Sequence, residues 1–133
     1  MRFLLDTNVC VDYLTGRYAG VALRIRRASP SDICSSSVVV AELRFGADHS
    51  TSPRANHARL DILVTELACL DFDLAAAAAY GKLRARLELS GTPIGPNDML
   101  IAAQALSRGM VLVTDNEREF RRVKGLKVEN WRH

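Results

Sequence analysis

The sequence predicts an α/β fold: one domain with a central, mostly parallel β-sheet flanked by helices. Two observations carry this. Short apolar runs alternate with longer segments of helical period, the pattern of strands joined through helices. No repeat, low-complexity tract or linker divides the chain, and 133 residues at 48% hydrophobic content suffice for one core but not for two ordinary domains.

The elements follow in order. Arg2 to Asp6 reads as a buried strand that stops at an acid, and a short helix from about Asn8 to Leu14 is broken by Gly16. Ala19 to Ala28 has helical spacing, with Arg24, Arg26 and Arg27 on its polar side, and Pro30 ends it. Asp32 to Ser36 is a second strand, and Ser37 can cap a helix running through Val40, Leu43 and Phe45 to Gly46. Pro53 opens a helix carrying Leu60, Leu63, Val64 and Leu67 on one face; it ends near Cys69, before a third strand around Leu70 to Phe72. The alanine-rich stretch Asp73 to Ser90 is the strongest helix in the chain. After a loop from Gly91 to Pro96, Asn97 can cap a helix from Asp98 to about Arg108 that Gly109 closes. Met110 to Thr114 is a fourth strand, Asn116 to Val123 a turn of helix, and Leu126 to Trp131 an edge strand that packs the lone tryptophan.

Composition narrows the function classes. No apolar run approaches the roughly 18 residues that span a bilayer, and MRFLLDTNVC reaches an acid too early for a signal-peptide core, so the expectation is a cytoplasmic protein with no membrane role. Cys10, Cys34 and Cys69 are odd in number and lack CxxC spacing, which reads as small buried hydrophobes rather than metal ligands or disulfides. Of the 18 basic residues 15 are arginines, suited to phosphate, although solvated helix faces explain many arginines as well. Setting four acids aside as a metal site leaves eighteen basic residues against eleven acidic ones, a net +7. An acidic pocket in a basic surface suits a nuclease.

Four acids fall where such a pocket would form. Asp6 ends the first strand, Asp115 follows the fourth, Asp98 opens a helix, and Glu42 lies in the early turns of the helix after the second strand. Open α/β sheets bind ligands beyond the carboxyl ends of their strands, where all four could converge. Taken singly, Asp6 or Asp115 could cap the following helix, Asp98 could serve the helix dipole and Glu42 could be a surface residue. Taken together they argue for a cation, because two carboxylates about 4 Å apart repel by roughly 4 kcal/mol at an effective dielectric of about 20. Oxygen-only ligands indicate Mg²⁺ or Mn²⁺ rather than zinc. Asn8 and Thr114 can orient a carboxylate or a water, though capping and turn formation explain them too. His49, His57 and His133 sit in no motif.

The run Leu4-Leu5-Asp6-Thr7-Asn8, the helix Ala41-Glu42-Leu43-Arg44-Phe45-Gly46, the stretch Gly95-Pro96-Asn97-Asp98-Met99-Leu100-Ile101-Ala102-Ala103 and the stretch Val113-Thr114-Asp115-Asn116-Glu117-Arg118-Glu119-Phe120 together resemble a VapC-type PIN-domain ribonuclease, the toxin of a type II toxin-antitoxin pair. The resemblance spans essentially the whole chain. It implies a PIN fold, Mg²⁺- or Mn²⁺-dependent cleavage of RNA, a VapB-like antitoxin partner and a homodimer. Asp6, Glu42 and Asp98 match the family's three metal-holding acids. The fourth is looser: Asp115 matches its region and lies nearer the strand end, but Glu119, four residues on, could share the face and complete the site, with Asn116 between them as an accessory.

Such a site activates a water without a histidine base, leaving a 5′-phosphate and a 3′-hydroxyl. A folding antitoxin tail would lie along apolar grooves for which Leu14 and Val38 to Leu43 are candidate walls. Two rivals stand beside this reading. A non-catalytic PIN module that binds RNA or protein is opposed by the intact acid set. A phosphatase of the haloacid-dehalogenase type is opposed by the first motif, which reads DTN and lacks a second Asp two residues on.

Overall fold

In the computed structural model, which describes residues 2–133, the chain forms β1 (Phe3–Leu5), α1 (Thr7–Thr15), α2 (Ala19–Arg27), a 3-10 turn (Pro30–Asp32), β2 (Ile33–Ser36), α3 (Ser37–Asp48), α4 (Pro53–Glu66), β3 (Ala68–Leu70), α5 (Leu74–Leu89), α6 (Pro96–Ser107), β4 (Val111–Val113), α7 (Glu117–Phe120) and β5 (Lys127–Glu129). The strands make one five-stranded sheet in the order β3-β2-β1-β4-β5. Every pairing is parallel, with Phe3 opposite both Ile33 and Val111.

This order sets the site. From β1 the chain works outward to β2 and β3, then returns across β1 to β4 and continues outward to β5. Neighbouring β1 and β4 therefore lead away in opposite directions, the switch point at which a crevice opens beyond the strands' carboxyl ends. Asp6 follows β1 there and Thr114 and Asp115 follow β4.

The central strands are buried on both faces. Leu4, Leu5, Leu112 and Val113 are fully covered, as continuous apolar runs in a parallel sheet require. Helix α6 is apolar nearly all round, and Ala102, Ala103 and Ala105 at its buried positions let it lie close to its neighbours. It packs chiefly against α5. Among the described residues no helix is long and apolar enough to cross a membrane.

Several boundaries differ from the sequence reading. Asp6 is not the last residue of β1 but the N-cap of α1, its Oδ1 accepting from the Val9 N–H at 3.0 Å. The cap of α3 is Ser36, not Ser37: Ser36 is still extended and accepts from the Val39 N–H at 3.1 Å, whereas Ser37 is helical. In a run of three serines the cap falls to the last extended one. Helix α6 starts at Pro96 behind Gly95, so Asn97 is inside the helix and caps nothing. Strand β3 lies two residues earlier than expected, and as an edge strand it leaves Cys69 exposed rather than buried. Helix α7 is one short turn, Glu117–Phe120, without the length read from the sequence. Trp131 is buried as expected, packed edge-on against Phe3 with ring centroids 5.0 Å apart.

Candidate active site

Asp6 is held from two sides. Beyond its capping bond to α1, its Oδ2 accepts from the Thr114 hydroxyl, which crosses from the end of β4. Thr114 is itself buried, and its Oγ1 accepts from the Asn116 N–H at 3.0 Å. Burial raises the Asp6 carboxyl to about 7; the bonds from Thr114 and Val9 work against that rise, while the charges of Asp115 and Asp98 add to it. Asp6 is thus both a helix cap and a carboxylate forced into poor solvation.

The other acids arrive on separate elements. Asp98 stands in the first turn of α6, half-buried, its carboxyl raised to about 6 by burial and then by Glu42, Glu119 and Asp115 in decreasing order. Gly95 makes room for it, since a Cβ there would sit 3.3 Å from Asp98 Oδ2. Glu42 lies in α3 with Oε1 buried and without a hydrogen-bond partner, and the Thr7 hydroxyl is in the same condition. Asp115 accepts from Asn8 Nδ2 at 3.2 Å through Oδ1, and Asn116 Nδ2 donates to Glu119 Oε2 at 2.8 Å.

All five acids named in the sequence reading therefore act on one another's charge. Asp6 responds to Asp115 and Asp98, and Asp98 to Glu42, Glu119 and Asp115. Asn8, Thr114 and Asn116 each hydrogen-bond within the same group. Among the described residues, no group of three His, Cys, Asp or Glu side chains is arranged to hold a metal ion as it stands. What the group has is the need for a cation: two carboxyls whose charged forms are penalised and a buried carboxylate oxygen that nothing satisfies. The donor set is all oxygen, which suits a hard divalent ion.

The histidines stand apart from this chemistry. His57 is held by Arg44 and Asp48, and the ring of His49 stacks on Phe45. Two residues that the sequence reading passed over do reach the site: Arg132, within 3.1 Å of Asp115, and Asp12, which Arg132 also contacts. They are 120 positions apart and belong to no local pattern, so no signal in the sequence joins them.

A parallel sheet with acids gathered at its switch point is the arrangement of a PIN domain, and the PIN domain family model matches residues 3–126: the chain belongs to that family. Within it, the chain falls among the VapC ribonucleases. It is 42% identical over 131 residues to the tRNA(fMet)-specific endonuclease VapC of Shigella flexneri, with 98% of both proteins covered. Among solved structures, the DNA-bound VapBC of Salmonella typhimurium superposes with a TM-score of 0.93 at 40% identity, covering 98% of each chain. VapBC2 of Rickettsia felis, bound to a DNA fragment from its promoter, gives 0.91 at 36%, covering 98% of this chain and 99% of that one.

Proposed function

We propose that this protein is an endoribonuclease toxin that hydrolyses phosphodiester bonds of a structured RNA at the carboxylate cluster and is restrained by a VapB-like antitoxin. Membership among the VapC ribonucleases supports the reaction class, and the observation that carries the site is the unsatisfied, mutually repelling set of acids at the switch point. Asp6, Glu42 and Asp98 would hold one or two Mg²⁺ or Mn²⁺ ions, with Asp115 or Glu119 as the fourth acid. A bound ion would polarise the phosphoryl oxygens and lower the pKa of an attacking water.

The chain's own residues supply the rest. Thr114 fixes the rotamer of Asp6 from the side away from α1, and Asn8 orients Asp115. Asn116 ties Glu119 to the turn after β4, so that both candidate fourth acids are set by one short segment. Lys82, Arg86, Arg122 and Lys124 line a groove along α5 whose other lining residues include no acid, an approach surface for phosphates. A single-stranded loop, such as a tRNA loop, is the substrate we favour, because its backbone can be splayed onto a recessed site. The Shigella flexneri relative is named for tRNA(fMet).

The partner and the dimer belong to the same proposal. Leu14 and Leu43 wall a groove that reaches Glu42 from one side, and Val38, Phe45 and Leu100 wall another that reaches it from the other. An antitoxin tail laid along them would end at the acids, where a cationic side chain could replace the metal. Phe45, 68% exposed, suits a homodimer contact beside the site.

The experiment is incubation of the purified protein with total RNA, with and without EDTA, followed by sequencing of the new ends. The expected result is EDTA-sensitive cleavage at few sites, leaving 5′-phosphate and 3′-hydroxyl ends and weakening steeply with salt. Cyclic-phosphate ends or full activity in EDTA would overturn the mechanism. Harmless expression without the neighbouring small gene, with RNA cleavage intact, would leave a housekeeping nuclease in place of a toxin.

A further inference from the structure

Resting on the carboxylate-metal reading above, we infer that Arg132 is a positioning residue: it commits Asp115 to an ion pair and leaves Glu119 as the fourth carboxylate facing the ion. The argument begins at Asp12, which lies on α1, is 2% exposed and so needs a partner for its charge. Arg132 provides it as a fork, with Nε 2.7 Å from Oδ2 and Nη2 3.1 Å from Oδ1. The guanidinium carbon lies 4.3 Å from the centre of the Tyr18 ring. The surrounding backbone is equally constrained. The Arg132 N–H donates to Asn130 Oδ1 at 3.0 Å, and a Cβ on Gly20 would meet the Trp131 carbonyl oxygen at 3.0 Å, so the segment lies directly on α2.

One nitrogen of the fixed guanidinium remains, and it stands at the acidic cluster: Nη1 is 3.1 Å from Asp115 Oδ2. Asp115 Oδ1 already accepts from Asn8, so both oxygens are engaged and the charge is offset. Arg132 cannot leave without stranding the buried Asp12 carboxylate, so this pairing is not a passing contact. A carboxylate in that state offers little to a second cation, and the guanidinium beside it repels one. Glu119, by contrast, gives Oε2 to Asn116 and is paired with no cation among the described residues. It also acts on Asp98 more strongly than Asp115 does. The contacts reverse the preference that position along the chain gives to Asp115.

The test is Mn²⁺ binding by the full chain, read from the electron paramagnetic resonance signal of free Mn²⁺, alongside RNA cleavage. In the parent, Glu119→Gln is expected to weaken Mn²⁺ binding at least about tenfold and Asp115→Asn less than about threefold. Replacing the buried pair by apolar groups, Asp12→Leu with Arg132→Met, keeps the core filled and frees Asp115. In that background the loss from Glu119→Gln is expected to shrink below about threefold, because Asp115 takes over. Arg132→Lys, which keeps Asp12 paired but lacks the planar fork, gives the same comparison without stranding a charge. A purely structural Arg132 would leave the ratio of the two acid variants unchanged between backgrounds. Equal losses from Asp115→Asn and Glu119→Gln in the parent, or an unchanged ratio, would overturn the inference. Absence of any Mn²⁺ binding by the parent would instead sink the metal reading and this inference with it.

Discussion

An Asp98→Asn variant will fold as the parent does and lose RNA cleavage by more than about a hundredfold. Replacing a residue that merely orients a ligand typically costs roughly 10- to 100-fold, and Asp98 is placed to be a ligand itself. Its side chain enters from the first turn of α6 into the space shared with Glu42, Glu119 and Asp115, and Gly95 is kept bare to admit it. Removing its charge relieves repulsion in the metal-free protein, so thermal stability measured in EDTA will be unchanged or higher. Alanine at Asp6, Glu42 or Asp98 will likewise abolish cleavage and relieve growth inhibition. The checks are a cleavage assay and circular dichroism on the same preparations. Near-normal activity in a well-folded Asp98 variant would sink the proposed site.

The second large effect is on stability against pH. Burial holds the Asp6 carboxyl at about 7 in the folded chain, against an ordinary value of 3.8. The folded state therefore keeps a proton that the unfolded state gives up. That contribution is fully present below the unfolded value and is lost as pH rises through the folded one, a window of pH 3.8 to about 7. For Asp6 it corresponds to roughly 4 kcal/mol across the window, and Asp98, raised to about 6, acts in the same direction. In EDTA the melting temperature will fall on the order of 10 °C between about pH 5 and about pH 8, relative to an Asp6→Asn variant that keeps the helix cap. Added Mg²⁺ will restore most of the loss at the higher pH and little at the lower. Parallel melting curves for parent and variant would count against this assignment, as would an equal Mg²⁺ effect at both pH values.

The alternation of apolar runs and helical segments was enough to read a parallel α/β domain, because a doubly covered sheet leaves its strands unambiguously apolar: Leu4, Leu5, Leu112 and Val113 need no tertiary information to be recognised. Asp6, Glu42, Asp98 and Asp115 were legible for a related reason, since each follows or opens an element at the same edge. Caps were less so. Ser35, Ser36 and Ser37 offer the same chemistry, and only the backbone angles of the strand's last residue separate them. The Asp12–Arg132–Asp115 contacts were invisible, being fixed by how the segment after β5 packs over α2, with Gly20 beneath it. Asp115 and Glu119 look alike in sequence for the same reason: what distinguishes them is the company each keeps in space.

The small side chains of α6 make the enzyme fragile in a way its acids do not reveal. Ala102, Ala103 and Ala105 are wholly enclosed, so any larger residue must push the helix away from its neighbours, at a typical cost of about 1–3 kcal/mol that a domain of this size can survive. The helix moves as a rod, and Asp98 rides on its other end. Displacing a reacting group by about 1 Å can cost roughly 10²-fold in rate. A cell that escapes the toxin by mutation therefore has a genetic target wider than the acids: conservative-looking changes a turn or more from any reacting atom can disarm the enzyme while leaving it folded and able to bind its antitoxin.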